Sequence, residues 1–144
     1  MPQEYPIAQL HTWPLSKMEN RLLILQEDHH LLRRYGQLEL ITLSRGQQTA
    51  FVLRSSADEV FAPIVGRAVV HLIDQRPASP TSEQTAVIQL DAENPEALLV
   101  PFGVAYAMSC SEDSWVLRLS THMDAADPAD QTFPWDVLQP FFPA

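Results

Sequence analysis

The sequence predicts an all-β protein whose strands pair antiparallel, as in a sandwich or a barrel. Its central part, residues 60–106, alternates apolar runs of strand length with turn residues. Gly, Pro, Asn and Asp end these runs at short intervals, which is the pattern of consecutive β-strands. The segments between the runs are too short for the crossover helices that a parallel sheet needs. Twelve prolines against four glycines also favour stiffened loops and few long helices.

The predicted elements follow one another along the whole chain with short connections. Residues 1–20 contain three prolines and no sustained hydrophobic period, so we expect an N-terminal arm that packs along the barrel or reaches a partner. The predicted strands are residues 21–26, 38–43, 49–54, 61–66, 67–74, 85–90, 97–101, 104–108, 115–119 and 133–137. His29 and His30 lie in a charged turn that we expect to be solvated. The apolar tail, residues 138–144, is expected to pack on the barrel or in a dimer contact.

Length and charge restrict the kind of protein this is. A chain of 144 residues is expected to form a single domain, residues 1–144. Its formal net charge of −9 argues against nucleic acid and anionic membranes as partners, because both are negative themselves. No apolar run is long enough to span a membrane and no secretory signal is seen, so we expect a soluble cytoplasmic protein. Cys110 is the single cysteine, which excludes an intrachain disulfide.

An ordered set of short motifs runs through the middle of the chain with almost no gaps. In sequence order, the set consists of Arg45-Gly46, Gly66, Asp74, Arg76, Ser79-Pro80-Thr81, Glu93-Asn94, residues 101–105, Thr121 and Trp135. Over residues 44–137 this order resembles the dTDP-4-dehydrorhamnose 3,5-epimerase family. The resemblance implies a cupin-like jelly roll, also called a double-stranded β-helix, and a homodimer. Because one fold can carry many functions, it implies the fold before it implies any activity.

The chain departs from that family at the residues that carry the reaction. The family uses a histidine base, a cation that stabilises the enolate oxygen and a tyrosine acid, and it uses no metal. By position, Gln48 stands in place of the base and Glu59 in place of the cation. Arg118 stands in place of the tyrosine, and Tyr106 replaces a further histidine. An amide cannot accept a proton at neutral pH, so no catalytic residue of the family reaction is expected here.

A ligand site without the family reaction is therefore the first hypothesis. The protein would be a non-catalytic or functionally diverged relative that binds a nucleotide sugar or another anionic ligand in the barrel. Its ligand-binding residues would be Arg45, Gln48, Tyr106 and Arg118. The first alternative is an active sugar epimerase or isomerase that uses Glu59, Tyr106 and Arg118 as acid, base and anion stabiliser. The second alternative is a structural or assembly subunit with no small ligand.

Arginines are the side chains that would distinguish a ligand site from a plain core. Those on or beside predicted strands are Arg45, Arg54, Arg67, Arg76 and Arg118. Their planar guanidinium groups suit bidentate contact with phosphate or carboxylate. They can equally face solvent or pair with Asp58, Glu59 and Asp74. An open, arginine-lined interior would favour the first role, and an interior filled with apolar side chains would favour the second.

No cofactor and no metal site are expected. The usual cupin metal cluster needs His-x-His and a further histidine on a later strand, whereas His71 and His122 are isolated in the sequence. The three tryptophans, Trp13, Trp115 and Trp135, are expected to fill the core or an interface, with sugar stacking by Trp115 as an alternative.

Overall fold

Two five-stranded antiparallel sheets pack face to face in this protein, whose computed structural model describes residues 6–26 and 34–143. The strands are β1 (His11–Pro14), β2 (Ser16–Met18), β3 (Arg21–Leu23), β4 (Gln37–Leu43), β5 (Phe51–Leu53), β6 (Glu59–Val65), β7 (Arg67–Asp74), β8 (Thr85–Asp91), β9 (Glu96–Val100), β10 (Val104–Cys110), β11 (Ser114–Ser120) and β12 (Gln131–Phe133). A short helix, α1 (Trp135–Leu138), and a 3-10 helix (Gln139–Phe141) follow. The predicted all-β fold is confirmed.

Strand order shows how the chain passes between the sheets. The first sheet has the order β1-β9-β6-β11-β4, and the second has the order β12-β5-β10-β7-β8. Strands β2 and β3 form a separate hairpin. Most neighbours in a sheet are distant in sequence, so the chain crosses repeatedly from one sheet to the other, as it does in a jelly roll. This is the cupin-like arrangement that the resemblance implied.

Apolar side chains fill most of the space between the two sheets. On β8, for example, Ala86, Ile88 and Leu90 point into this core, whereas Val87 and Gln89 point outward. The same alternation along the other inward-facing strands makes one continuous hydrophobic core. Polar side chains enter the interior at the end where β6 and β10 begin, and that end holds the candidate site.

The outer face of the first sheet is covered by the N-terminal segment. Strand β1 pairs antiparallel with β9, from His11 opposite Leu99 to Pro14 opposite Glu96. Beside it, Leu15 packs with the outward-facing Val60 of β6 in a second apolar cluster. This covering explains why β6 is apolar on both faces, as a strand buried on both sides should be.

The outer face of the second sheet is covered by the C-terminal segment. The ring of Phe51 on β5 stacks on Trp135, with 5.6 Å between ring centroids, and on Phe142, at 5.9 Å. Leu138 of α1 completes this cluster. The predicted packing of the tail on the barrel is confirmed for Phe142, whereas the side chain of Phe141 is exposed.

Three predicted strands lose half of their length or more in the structure, whereas the others keep their bounds to within two residues. The run 133–137 is not a strand, because β12 ends at Phe133 and α1 begins at Trp135. Pro134 separates the two, because proline has no N–H to donate to the sheet but is tolerated at the start of a helix. The runs 21–26 and 49–54 shorten to the three-residue strands β3 and β5.

Two further expectations concern a charged turn and membrane-spanning segments. The turn with His29 and His30 lies outside the described residues. Within the described residues, no helix has the length and apolar character needed to cross a membrane.

Candidate functional site

Three strands bring a glutamate, a tyrosine and an arginine together inside one end of the barrel. Glu59 is the first residue of β6, and Arg118 lies on the adjacent strand β11. Tyr106 reaches them from β10 in the opposite sheet. The Tyr106 hydroxyl donates a hydrogen bond to Glu59 Oε1, and Arg118 Nε donates one to Glu59 Oε2. The side chain of Glu59 is 1% exposed, so this carboxylate is removed from solvent.

A second arginine joins the cluster from the loop after β5. Arg54 Nη1 donates to Glu59 Oε2 at 3.1 Å, and its Nε donates to Asp130 Oδ2 at 2.9 Å. Its Nη2 donates to the backbone carbonyls of His122 and Met123 at 3.2 and 3.1 Å. The side chain is 4% exposed, and burial of a guanidinium is tolerated only when such partners surround it. The pairing of an arginine with Glu59, which the sequence left as an alternative, is confirmed here.

The segment of residues 121–130, called the acidic loop below, closes the cluster from the solvent side. Its Asp124 accepts from Arg118 Nη2 at 2.6 Å and from Arg54 Nη1 at 3.3 Å, both through Oδ1. Asp124 Oδ2 accepts from Arg118 Nη1 at 3.3 Å and from Gln37 at 3.1 Å. The Asp124 side chain is 54% exposed, so it lies at the boundary between the cluster and solvent.

A cavity of about 260 Å³ opens beside this cluster. Its lining residues are Val52, Arg54, Tyr106, Arg118, Asp124, Ala125, Asp130, Gln131 and Thr132. The polar part of the wall is therefore made of two guanidinium groups, one phenol, the carboxylates of Asp124 and Asp130, the amide of Gln131 and the hydroxyl of Thr132. Glu39 and Glu59 contact the same arginines, so four carboxylates surround two positive charges. Neither guanidinium is left free to receive an anion without a change in these pairs.

The charges around the cavity hold each group in one protonation state. Burial raises the pKa of Tyr106 well above its usual value, and the adjacent negative charge of Glu59 raises it further. Burial alone would lower the pKa of Arg118, but hydrogen bonds to Asp124 and the charge of Glu59 outweigh it and raise the pKa. The hydrogen bond from Arg118 lowers the pKa of Asp124. Tyr106 thus keeps its proton, and Arg118 and Asp124 stay charged near neutral pH.

The structure brings some of the predicted site residues together and separates others. Glu59, Tyr106 and Arg118 meet in one cluster, although they are far apart in sequence. Gln48 instead pairs with Ser109, three residues beyond Tyr106 along β10 and therefore about 10 Å away along the strand. Arg45 lies farther in the same direction, where its backbone N–H donates to Asp113 at 2.8 Å. Ligand binding by Arg45 and Gln48 stays a prediction.

Arg54 and the acidic loop are the functional candidates that sequence reasoning did not place in the site. Arg54 was named only as one of five arginines on or beside predicted strands, and residues 124–130 were not among the candidate residues. The available signal was the repeated aspartate of that loop, at positions 124, 127 and 130, in a chain with few arginines to balance it. Sequence spacing could not show that two of these aspartates fold back onto Arg54.

A second, larger cavity of about 730 Å³ lies next to the first. The two share Arg54 and Gln131 in their walls. The larger cavity is bordered by the loop after β7, where Arg76 Nε donates to Asp74 at 2.9 Å. The pairing of Arg76 with Asp74, which was the alternative to anion binding, is confirmed.

The remaining candidate side chains lie elsewhere in the described part of the chain. His71 contacts Ser109 at 3.0 Å and meets the Trp135 ring edge-on, outside the barrel. His122 contacts Thr121 through Nδ1 at 2.9 Å. Trp115 is partly exposed and lines neither of the two cavities described. In residues 6–26 and 34–143, no group of three His, Cys, Asp or Glu side chains has an arrangement that could hold a metal ion.

Comparison with known proteins agrees with this architecture. A dTDP sugar isomerase from Desulfovibrio desulfuricans G20 has a similar structure, with a TM-score of 0.85, 23% identity and coverage of 96% of this chain and 91% of the other. For the dTDP-4-dehydrorhamnose 3,5-epimerase of Sulfolobus tokodaii, the TM-score is 0.81 at 18% identity, with 98% and 84% covered. The chain has the fold of the dTDP-sugar epimerases. The resemblance seen in the sequence is confirmed at this level.

Sequence comparison adds a relative from carbohydrate metabolism. The spore coat polysaccharide biosynthesis protein SpsL of Bacillus subtilis (strain 168) is 28% identical over 116 residues, which are 78% of this chain and 77% of that protein. No protein-family model matches the chain. The relationship to dTDP-sugar epimerases and isomerases is thus supported, and the chemistry of the site has to be argued from its own residues.

Proposed function

We propose that this protein binds a nucleotide sugar, or another anionic sugar derivative, at the cavity of Tyr106 and Arg118 without carrying out epimerisation. The observation that carries the proposal is the composition of the cavity wall. It contains guanidinium groups that suit an anion and a phenol that keeps its proton, but none of its lining residues is a histidine. A ligand could be held there, whereas removal of a proton next to a ketone has no suitable base.

Each carboxylate near the cavity is a poor candidate for that base. Glu59 accepts hydrogen bonds from Tyr106, Arg118 and Arg54, so both of its oxygens are already engaged inside the cluster. Asp124 has a lowered pKa because Arg118 donates to it. An efficient base has a pKa near the working pH, and loss of a general base costs about 10²–10⁴-fold in rate. The expected epimerase activity is therefore very low.

The choice of a nucleotide sugar rests on the proteins with the same fold. ChmJ of Streptomyces bikiniensis, a 3'-monoepimerase, was solved in complex with dTDP-quinovose, and a double mutant of the same protein was solved with dTDP. The relative from Bacillus subtilis takes part in polysaccharide biosynthesis. A carbohydrate ligand also suits a cavity that joins a polar wall to the larger space lined by Pro77, Pro80 and Phe102.

A second function is favoured by the convergence of Glu59, Tyr106 and Arg118. These three residues would be the acid, base and anion stabiliser of an epimerase with altered groups, and Tyr106 and Arg118 both reach the cavity. Arg118 would stabilise the enolate oxygen. This alternative requires Glu59 to exchange one of its three hydrogen-bonded partners for the substrate.

Two measurements separate these functions. Thermal unfolding with dTDP and with dTDP-glucose tests binding, and a ligand at 100 times its Kd should stabilise the fold by about 2.7 kcal/mol. Deuterium incorporation at the ring carbons of dTDP-4-keto-6-deoxyglucose tests proton transfer. We expect stabilisation without deuterium incorporation. Incorporation above the solvent background would establish the active alternative, and no stabilisation by any nucleotide sugar would contradict both.

The homodimer and the cytoplasmic location implied earlier stay predictions. Sedimentation equilibrium of the full chain tests the first, because a homodimer has twice the mass of one chain. A single-chain mass across the micromolar range would contradict it.

A further inference from the structure

The carboxylate of Asp124 occupies the position that an anionic ligand of the cavity would need. Its Oδ1 lies 2.6 Å from Arg118 Nη2 and 3.3 Å from Arg54 Nη1, so one oxygen bridges both guanidinium groups. Both arginine side chains are nearly buried, and Asp124 is bound from the side that faces the cavity and solvent. A phosphoryl or carboxylate oxygen would make the same two contacts.

We propose that Asp124 is an internal competitor for an oxyanion site formed by Arg54 and Arg118, and that the phosphoryl or carboxylate group of a ligand displaces it. The proposal rests on the proposed function, because the displacing group belongs to the ligand of that cavity. It adds that the site is closed in the unliganded protein and opens by movement of the acidic loop around Asp124.

Asp124 is the carboxylate of the cluster that can leave at the lowest cost. Glu59 is almost completely buried on a strand that pairs on both sides, whereas Asp124 is 54% exposed on a loop. The rest of the acidic loop has separate anchors. Asp127 accepts from the hydroxyl of Ser56 at 2.8 Å, and Asp130 accepts from the backbone N–H of Ser55 at 2.8 Å. Residues 127–130 can therefore stay bound while Asp124 turns away.

The arginines remain in place after Asp124 leaves. Arg118 keeps its hydrogen bonds to Glu59 and Glu39, and Arg54 keeps those to Glu59 and Asp130. The donors that lose a partner when Asp124 leaves are Arg54 Nη1 and both Nη groups of Arg118. A site held in advance by buried partners costs little to organise when the ligand arrives. The ligand can bind only those molecules in which Asp124 has left the site. The apparent affinity is therefore the intrinsic affinity multiplied by the fraction of molecules with an open site.

Replacement of Asp124 by asparagine tests the proposal directly. Isothermal titration with inorganic phosphate and with glucuronate covers the two kinds of oxyanion, and glucose serves as the uncharged probe. We expect the Asp124→Asn variant to bind phosphate or glucuronate at least about tenfold more tightly than the wild type, because the competitor has lost its charge. Glucose should show no such gain.

Asp127→Asn is the matched control on the same loop. Asp127 contacts Ser55 and Ser56 and no arginine of the cluster, so this variant loosens the acidic loop without emptying the oxyanion site. Its affinity for the probes should stay within about twofold of the wild type, if the effect is competition rather than mobility. Equal gains in both variants, or no gain with Asp124→Asn, would overturn the proposal.

Hydrogen exchange gives a second result that does not depend on affinity. The backbone N–H of Asp124 donates to Gln37 Oε1 at 2.8 Å, and movement of Asp124 breaks this bond. A saturating probe should speed exchange of this amide in the wild-type protein and leave that of Ser55 unchanged. A bound probe with unaltered exchange at Asp124 would also overturn the proposal.

The outcomes distinguish this inference from the proposed function. If dTDP-glucose binds the wild type and Asp124→Asn equally well, the proposed function stands and the displacement is wrong. If Asp124→Asn gains affinity for phosphate or glucuronate but no nucleotide sugar binds either protein, the displacement stands and the proposed ligand is wrong.

Discussion

Glu59 is the residue on which the polar end of the barrel depends. It is a buried carboxylate that accepts from two arginines and a tyrosine, and each of those donors comes from a different strand or loop. Such a group is costly to bury alone and becomes tolerable only with complete hydrogen bonding. The cluster therefore contributes to stability as a unit, and loss of its central charge leaves two guanidinium groups without the buried carboxylate that they share.

Substitution of Glu59 by glutamine should destabilise the protein by about 3 kcal/mol, because two buried cations lose their central counter-charge. Glu93→Gln is the control, since Glu93 is 87% exposed and lies 4.0 Å from Arg67. That surface change should alter the free energy of unfolding by no more than about 0.5 kcal/mol. Urea unfolding of both variants measures the difference. Equal stability of the two would show that the cluster adds nothing.

Tyr106 should retain its proton in alkali for as long as the protein is folded. Its pKa is raised by burial and by Glu59, so the folded state binds this proton more tightly than the unfolded state does. The stability it contributes is complete below the unfolded pKa of about 10 and is lost as the pH rises above it. The phenolate absorbance of wild type and Tyr106→Phe should coincide until unfolding begins. An extra phenolate in the folded wild type would contradict the assignment.

At the scale of elements, the loop after β7 is held by one carboxylate. Asp74 ends that strand, is fully buried, and accepts from the backbone and side chain of Arg76 at 2.9 to 3.0 Å. The hydroxyls of Ser79 and Thr81 also donate to it, each at 2.7 Å. These contacts explain why the Ser-Pro-Thr motif follows a strand that ends in aspartate. They shape the border of the larger cavity.

Asp74→Asn should cost about 3 kcal/mol at neutral pH, because the buried Arg76 contact loses its charge. Burial alone would raise the pKa of Asp74, but hydrogen bonds from Arg76 and Ser79 lower it well below its usual range. Its stabilisation is therefore present above the unfolded pKa of about 3.9 and declines as the pH falls below that value. Unfolding at pH 7 and pH 3 should show a smaller gap at pH 3.

Glu83→Gln is the control within the same loop, since Glu83 is exposed. It should be close to wild type at both pH values. A gap between wild type and Asp74→Asn that grows on acidification would contradict the predicted sign.

At the scale of the whole molecule, each sheet depends on a terminal segment to cover its outer face. Leu15, Leu22 and Ile24 cover the first sheet, and Trp135, Leu138 and Phe142 cover the second. The molecule thus has three apolar layers, one between the sheets and one on each outside. Chain segments that look irregular in sequence are part of the hydrophobic structure because they lie on these outer faces.

Trp135→Ala should destabilise the protein by about 2–4 kcal/mol, because it uncovers Phe51 and leaves a cavity over the second sheet. Val137→Ala on the same helix is the matched control, since that side chain is 50% exposed. Its expected effect is below about 0.5 kcal/mol. Thermal or urea unfolding distinguishes them. If Trp135→Ala is no worse than Val137→Ala, the C-terminal cover is dispensable.

The sequence by itself determined the central strands, the antiparallel class and the resemblance to sugar epimerases. These depend on local features, namely alternation along β8, turn residues at strand ends and the order of short motifs. Local features predicted the structure less well near the C-terminus, where the apolar residues after Pro134 form a helix rather than a strand.

Only the tertiary structure decided which carboxylate each arginine meets. Arg118 and Glu59 are 59 positions apart, and Arg54 and Asp124 are 70 apart, so no spacing rule could join them. The sequence placed Glu59, Tyr106 and Arg118 among the candidates, but the folding of the acidic loop onto Arg54 depends on how two sheets and a loop meet in space. The interaction energy of two charges depends on the distance between them and on their burial. Neither quantity is a property of one segment of the chain.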